Sequence, residues 1–166
     1  MENKSRQFPR YLPCLWDKLQ DDEPLKKEEA TLQRSVTPRH YREAVARDLG
    51  WALNSPAPYK DTDLRELDEV ATSVLNYGIH SFAGQRTSDL ARAEIESHIR
   101  TALLHFEPRL IPGSLKVESA PMRRGQRINQ LAFVISGQIW AMPFPEELYL
   151  YTELDLENGE FRTELQ

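Results

Sequence analysis

With one cysteine, seven glycines and no long apolar run in 166 residues, several chemistries are closed to this chain from the outset. Cys14 has no second thiol to pair with, so neither an internal disulfide nor a cysteine-built zinc site can form, which agrees with a reducing compartment. Its expected role is a small apolar contact. The glycines never cluster into a phosphate-cradling loop, and no nucleophile elbow, zinc spacing or histidine-acid group accompanies them. No cofactor or metal is therefore expected. No stretch approaches the roughly 20 apolar residues that a membrane span needs, and MENKSRQFPRYLPCLW lacks the apolar core of a signal peptide. The expectation is a cytoplasmic protein without direct membrane insertion. Positive charge is also short, with 21 Lys and Arg against 26 Asp and Glu, a net charge of -5. Phosphate backbones are held by concentrated cationic faces, so no nucleic-acid partner is expected. The basic spot Arg123-Arg124-Gly125-Gln126-Arg127 reads as a solvated loop between strands.

The length suits one domain with a short arm. Residues 1–35 form that arm, in which Leu12, Leu15, Trp16 and Leu19 have helical spacing until Asp21-Asp22-Glu23-Pro24 stops the pattern. So short a helix is marginal alone, and its stripe needs the main body or another protein to pack against. Residues 25–35 are charged, lack periodicity and read as a linker. The main domain, 36–166, opens on Thr37-Pro38, an N-cap hydroxyl followed by a proline whose missing N–H is harmless at the first helical position. Tyr41, Val45, Leu49 and Ala52 or Leu53 then mark a buried face, with Trp51 expected in the core beside it. A second helix is expected from a cap at Asp63 through Leu64, Leu67, Val70, Val74 and Leu75, closed by Asn76-Tyr77-Gly78. The longest helix, capped by Thr87 or Ser88, carries Leu90, Ile95, Ile99, Leu103 (or Ala102) and Phe106. His98 and His105 share a side of it, too far apart to chelate one ion unaided.

Past Pro112-Gly113 the apolar period changes from about 3.6 to 2. Leu115 and Val117 alternate with polar residues, and 131–140 is dense in Phe133, Val134, Ile135 and Ile139, with Gly137 marking a bulge or a close backbone approach. Pro143 and Pro145 end that strand. Leu148, Leu150, Leu154 and Leu156 line one face of the next, and Tyr149, Tyr151, Glu153 and Asp155 the other, which is expected to be wet or partner-facing. Asn158-Gly159 signals a hairpin returning through Phe161. The fold class is α+β, N-terminal helices followed by a small, mainly antiparallel C-terminal sheet.

At the junction of the two halves stands Glu107-Pro108-Arg109. Proline disfavours helix at Glu107, so the triplet should be extended and project a carboxylate and a guanidinium from one side. Two readings stay open on these residues: a surface pair at a helix stop, or a docking device aimed at a partner. Catalysis by Glu107 with Glu94 or Glu118 would need a carboxylic acid of raised pKa, which an adjacent arginine opposes.

Taken in order, LPCLWDKLQDDEP, REAVARDLGWALNS, SVLNYGIHSFAG, IRTALLHFEPRLIPGSLKV and INQLAFVISGQIWAMPFPEELYLYTELDLENGEF resemble TssE, the baseplate subunit family of type VI secretion, similar to the lysozyme-like wedge protein of contractile phage tails. The resemblance covers nearly the whole chain and implies a bacterial structural subunit in a membrane-docked baseplate, not an enzyme. Its implied partners are TssF, TssG and TssK in the wedge and the sheath subunits TssB and TssC. The inherited lysozyme name leaves peptidoglycan cleavage as the alternative. Carried over from the family, Glu107, Pro108 and Arg109 become partner-binding residues, with the arm helix at 12–19 as a second docking element. The family fold is similar to a sheath domain whose strands are shared between neighbours, so an open strand edge is expected at 147–156 or 160–165. On this reading, loss of Glu107 or Arg109 leaves the isolated fold nearly intact and blocks assembly.

Overall fold

Residues 11–20, 36–59, 64, 66–85, 91–121, 123 and 129–166 are described by a computed structural model. The first helix is α1, Leu15–Leu19, and α2 runs Pro38–Asn54 with Thr37 at its N-cap, its side chain accepting from His40 N–H. The amphipathic reading of α2 holds: Tyr41, Val45, Leu49, Ala52 and Leu53 are all buried. Trp51 is not a core residue but 45% exposed, because it lies off that stripe and meets Trp16 edge-on at 5.7 Å between ring centroids.

The second helix is far shorter than its apolar spacing suggests. Among the described residues of this segment only α3, Asp68–Ala71, and a 3-10 turn at Val74–Asn76 form, while Leu67, Val74 and Leu75 stand exposed. Hydroxyls explain the break. Thr72 Oγ1 donates to Asp68 O at 3.1 Å, Ser73 Oγ donates to Val70 O at 2.9 Å and accepts from Leu75 N–H, offering the backbone an alternative to helix. The closing glycine is forced: Gly78 has φ of 113°, and a Cβ there would sit 1.9 Å from the Ser55 carbonyl oxygen. The expected cap at Asp63 lies outside the described residues.

The longest described α-helix after α2 is α4, Arg92–Phe106, which buries Ile95, Ile99, Ala102 and Leu103. Its N-cap is Ala91, without a side-chain cap; Thr87, Ser88 and Leu90 lie outside the described residues. Four antiparallel strands follow in spatial order β1-β2-β3-β4: β1 Lys116–Ala120, β2 Gln130–Ile139, β3 Glu146–Asp155 and β4 Phe161–Leu165. Leu131, Phe133, Ile135 and Ile139 of β2 share the helix-facing side with Leu148, Leu150 and Leu154 of β3, forming the core with α2 and α4. Pairing passes Gly137↔Leu148 without interruption, so Gly137 is a close approach and not a bulge; a Cβ there would meet Leu115 Cα at 3.3 Å. Gly159, at φ of 76°, turns the final hairpin, where Asp155 N–H bonds Glu160 O at 2.9 Å. The strand at 147–156 is interior, so of the two expected free edges only β4 lies at a sheet border, opposite β1.

The outer face of β3 is less wet than its alternation implies. Tyr151 is buried with Ala120 and Ala132, and the Arg123 guanidinium lies 3.7 Å from its ring centroid. On the inner face Thr152 is fully buried, and its Oγ1 has no hydrogen-bond partner among the described residues. A buried unsatisfied hydroxyl costs about 1 to 3 kcal/mol. Thr152→Val, which keeps the shape, is expected to raise the unfolding free energy by about 1 to 2 kcal/mol in urea titration. An unchanged or lower midpoint would mean that the hydroxyl is satisfied.

Candidate functional site

The triplet closes a turn and is not extended. Leu110 N–H donates to Glu107 O at 3.1 Å, placing Pro108 second in a four-residue turn, a position that its fixed φ suits. Proline after a helix fits both an extended exit and a turn, and the turn wins because the chain must pair at once with β2. Ile111 N–H bonds Gln138 O at 2.8 Å, and Trp140 N–H bonds Arg109 O at 2.7 Å. The turn brings the two charges onto each other. Arg109 Nε donates to Glu107 Oε1 at 2.7 Å and Nη2 to Oε2 at 2.5 Å, a two-point fork, while Arg109 N–H also donates to Oε1 at 3.0 Å. Glu107 is 4% exposed, so this is no surface pair. Pro108 remains exposed at the tip.

A third charge completes the cluster. Asp48 of α2 accepts Arg109 Nη2 on Oδ2 at 2.5 Å and Arg47 Nε and Nη2 on Oδ1 at 2.9 and 2.8 Å. Arg47 Nη1 then reaches Asp17 of α1 at 2.6 Å. A ladder of alternating charge, Asp17, Arg47, Asp48, Arg109 and Glu107, thus ties the arm, α2 and the turn together. Burial alone would lower the Arg109 pKa, but hydrogen bonds and attraction from Glu107, then Asp48, hold it above its ordinary range. Burial pushes Asp17 upward; the bonds from Arg47 and from the Cys14 thiol, which donates at 2.9 Å, outweigh it and hold the carboxyl below its usual 3.8. The arm is fastened again where Tyr11 OH donates to Glu146 at 2.5 Å, and that bond, aided by burial, pushes the phenol up to about 12. Cys14 is therefore a polar contact of the arm and not the apolar one expected.

Asp48, Arg47 and Asp17 escaped the sequence reading. The available signal was positional: Asp48 falls three residues after Val45 and beside Leu49, on the flank of a buried stripe where a charge must find a partner. The arm's apolar residues are not absorbed by the body, since Leu12, Leu15 and Leu19 are 54%, 73% and 72% exposed. Glu94 stands in the first turn of α4 and Glu107 follows its end, about 20 Å away at the helical rise, too far for two carboxylates to flank one glycosidic bond. His98 and His105 line, with His80, a cavity of about 650 Å³ between α4 and the 57–59 and 76–85 segments. Among the described residues no group of three His, Cys, Asp or Glu side chains could hold a metal ion. Of the basic spot only Arg123 is described, and it pairs with Glu164 at 2.8 Å.

Two outcomes follow from the ladder. Arg109→Ala strands Glu107 without a cation and is expected to cost about 3 to 5 kcal/mol in denaturant titration, whereas Glu107→Ala leaves Arg109 its bond to Asp48 and should cost about 1 to 3. These outcomes differ from the nearly intact fold expected from the sequence, and the same titration decides between the two. Because the Asp17 pKa is depressed in the fold, its contribution is present above the unfolded value and lost as pH falls below about 3.8. Tryptophan emission, which reads the Trp16–Trp51 contact, should change in that acid range, and Asp17→Asn should show the acid-form emission already at pH 7.

No curated protein sequence and no solved structure matches the chain. A family model described as baseplate wedge protein gp25 matches residues 39–143, which take in α2 from its second residue, α4, the triplet, β1 and β2. That span exceeds half of the 166 residues and contains Asp48, Glu107, Pro108 and Arg109, so the chain belongs to the gp25 family of baseplate wedge proteins.

Proposed function

We propose that this chain is a structural baseplate subunit of a type VI secretion system, docking in a wedge with TssF, TssG and TssK and helping to start TssB/TssC sheath assembly around the inner tube. The observation that carries the reading is the braced turn. Glu107 and Arg109 are spent on each other and on Asp48, which fixes the backbone of a turn whose tip is exposed Pro108 and whose neighbour is Trp140, 52% exposed. A rigid presented turn beside an exposed aromatic suits docking, because little ordering entropy is lost on contact. Partner binding by Glu107, Pro108 and Arg109 is thus direct for the proline and indirect for the buried carboxylate and for the guanidinium, whose remaining nitrogen, Nη1, is itself buried and finds no hydrogen-bond partner among the described residues. The sheath would be met elsewhere, by strand addition along β4. No described helix is long and apolar enough to cross a membrane, which fits a cytoplasmic subunit that reaches the membrane through its partners.

A peptidoglycan hydrolase is the competing reading, and Glu107 is poorly suited to it. Both its oxygens are occupied by Arg109, which leaves neither free to reach a glycosidic oxygen.

The test uses co-expression with the wedge and sheath subunits. Arg109→Lys keeps the charge but loses the fork. It and Pro108→Ala should stay folded by circular dichroism and lose co-purification of TssF, TssG and TssK. Thr163→Pro places proline where the N–H faces away from the sheet, so the fold should survive while sheath subunits are no longer retained. Undiminished capture by all three folded variants would overturn the reading, and clearing of cell-wall suspensions that disappears in Glu107→Gln would install the hydrolase in its place.

A further inference from the structure

The edge of β4 is not uniformly open. In an antiparallel ladder the residues of a border strand alternate between groups aimed at the neighbouring strand and groups aimed outward. Asp155 N–H bonds Glu160 O at 2.9 Å and Gln166 N–H bonds Tyr149 O at 3.0 Å, so even-numbered residues of β4 point inward. Phe161, Thr163 and Leu165 therefore turn their N–H and C=O groups outward. At Phe161 both groups are already taken. Asn54, the last residue of α2, accepts Phe161 N–H on Oδ1 at 2.9 Å and donates from Nδ2 to Phe161 O at 2.9 Å. Its side-chain amide thereby makes the two bonds that a residue of an added strand would make. The amide is itself held, since Nδ2 also donates to Gly50 O at 2.9 Å. At Thr163 and Leu165 no described residue bonds the outward groups. The opposite border differs: Ser119 N–H on β1 donates to Glu96 of α4 at 2.8 Å.

We propose that Asn54 is a register stop on the β4 edge, so that an extended strand of a partner protein adds to Thr163 and Leu165 and cannot pair with Phe161. This rests on the strand-addition reading given above. Register needs such a stop, because a slip of one residue turns every side chain of the added strand to the opposite face. Hydrophobic pattern alone would do this weakly on an edge strand where Arg162 and Glu164 are exposed and only Phe161 is fully buried. A stop made from a side-chain amide acts through hydrogen bonding and not through bulk, so it blocks one pair of backbone groups while leaving the next open.

Amide hydrogen exchange tests it in two stages. In the isolated chain, Asn54→Ala should speed exchange of the Phe161 amide about five- to tenfold, the loss of one net hydrogen bond, while the Thr163 and Leu165 amides are unchanged. With the co-expressed sheath subunits bound, the native chain should gain protection at Thr163 and Leu165 and none at Phe161. In Asn54→Ala the gain should extend to Phe161. Asn54→Asp, which keeps the acceptor but not the donor, should leave Phe161 N–H protected and free only its carbonyl. Equal Phe161 exchange in the native chain and Asn54→Ala would overturn the cap, and added protection at Phe161 in the native complex would overturn the stop. Absence of any gain at Thr163 and Leu165 in both complexes removes strand addition, and the register role with it, even where Phe161 behaves as a capped amide in isolation.

Discussion

A carboxylate that is almost out of water must find cations, and Glu107 finds one. Arg109 in turn is held by two carboxylates, and the second, Asp48, belongs to α2. Geometry beyond the turn depends on this arrangement. Glu107 sets where α4 stops, Arg109 sets the direction in which the chain leaves, and the hydrogen bonds from 109–111 to β2 follow from that direction. Paired charges of this kind are not a strong source of net stability, because desolvation offsets most of the attraction. Their effect is asymmetric: with all members present the cluster is nearly neutral, and with one missing the others are stranded. Such a cluster specifies one conformation more than it strengthens the fold.

The same helix carries two further contacts between separate parts of the chain. On one flank of α2, Arg47 reaches the arm through Asp17; at its end, Asn54 reaches β4. Turn, arm and sheet edge are therefore mounted on a single rigid element whose buried stripe is fixed in the core. An α-helix rises about 1.5 Å per residue, so Asp48 and Asn54 lie about 9 Å apart along its axis. Contacts made by a wedge partner at the turn and by a strand at the edge would be registered to each other without any conformational change. A baseplate subunit must hold its neighbours at fixed relative positions, and a stiff helix between two surfaces supplies that.

Where local chemistry decided the outcome, the residues were readable in advance. Thr37-Pro38 starts α2, Asn158-Gly159 turns the last hairpin, and the leucine alternation of β3 faces the core, because each pattern has one low-energy solution. The failures share a different origin. Glu107-Pro108-Arg109 suited both an extended exit and a turn, and only pairing with β2 selects between them. Trp51 is large and apolar, but its angle around α2 leaves it outside the stripe. Leu67, Val70, Val74 and Leu75 have helical spacing, yet Thr72 and Ser73 divert the backbone that would carry it. Tyr151 sits on the polar side of β3, and Arg123, from a loop far away in sequence, covers it. For the triplet and Tyr151 the missing information was a tertiary partner; for the second helix it was a local competition between hydroxyls and the helical backbone.

The candidate site shows the same division more sharply. The triplet could be singled out from sequence because proline between opposite charges is conspicuous; its residues left a helix-stop pair and a docking device both open, the resemblance made it partner-binding, and in the fold its two charges pair with each other. The two ideas are compatible once rigidity is counted. A loop that binds with free charges loses entropy as its side chains order and loses hydration as they are buried, and both losses weaken the complex. A loop whose charges are already paired within its own fold has incurred those losses before any partner arrives. The surface left exposed at the turn is then a proline and a neighbouring indole, since the remaining guanidinium nitrogen, Nη1, is itself buried. For a turn that docks as proposed, the pairing inside the chain would lower what contact with a partner costs.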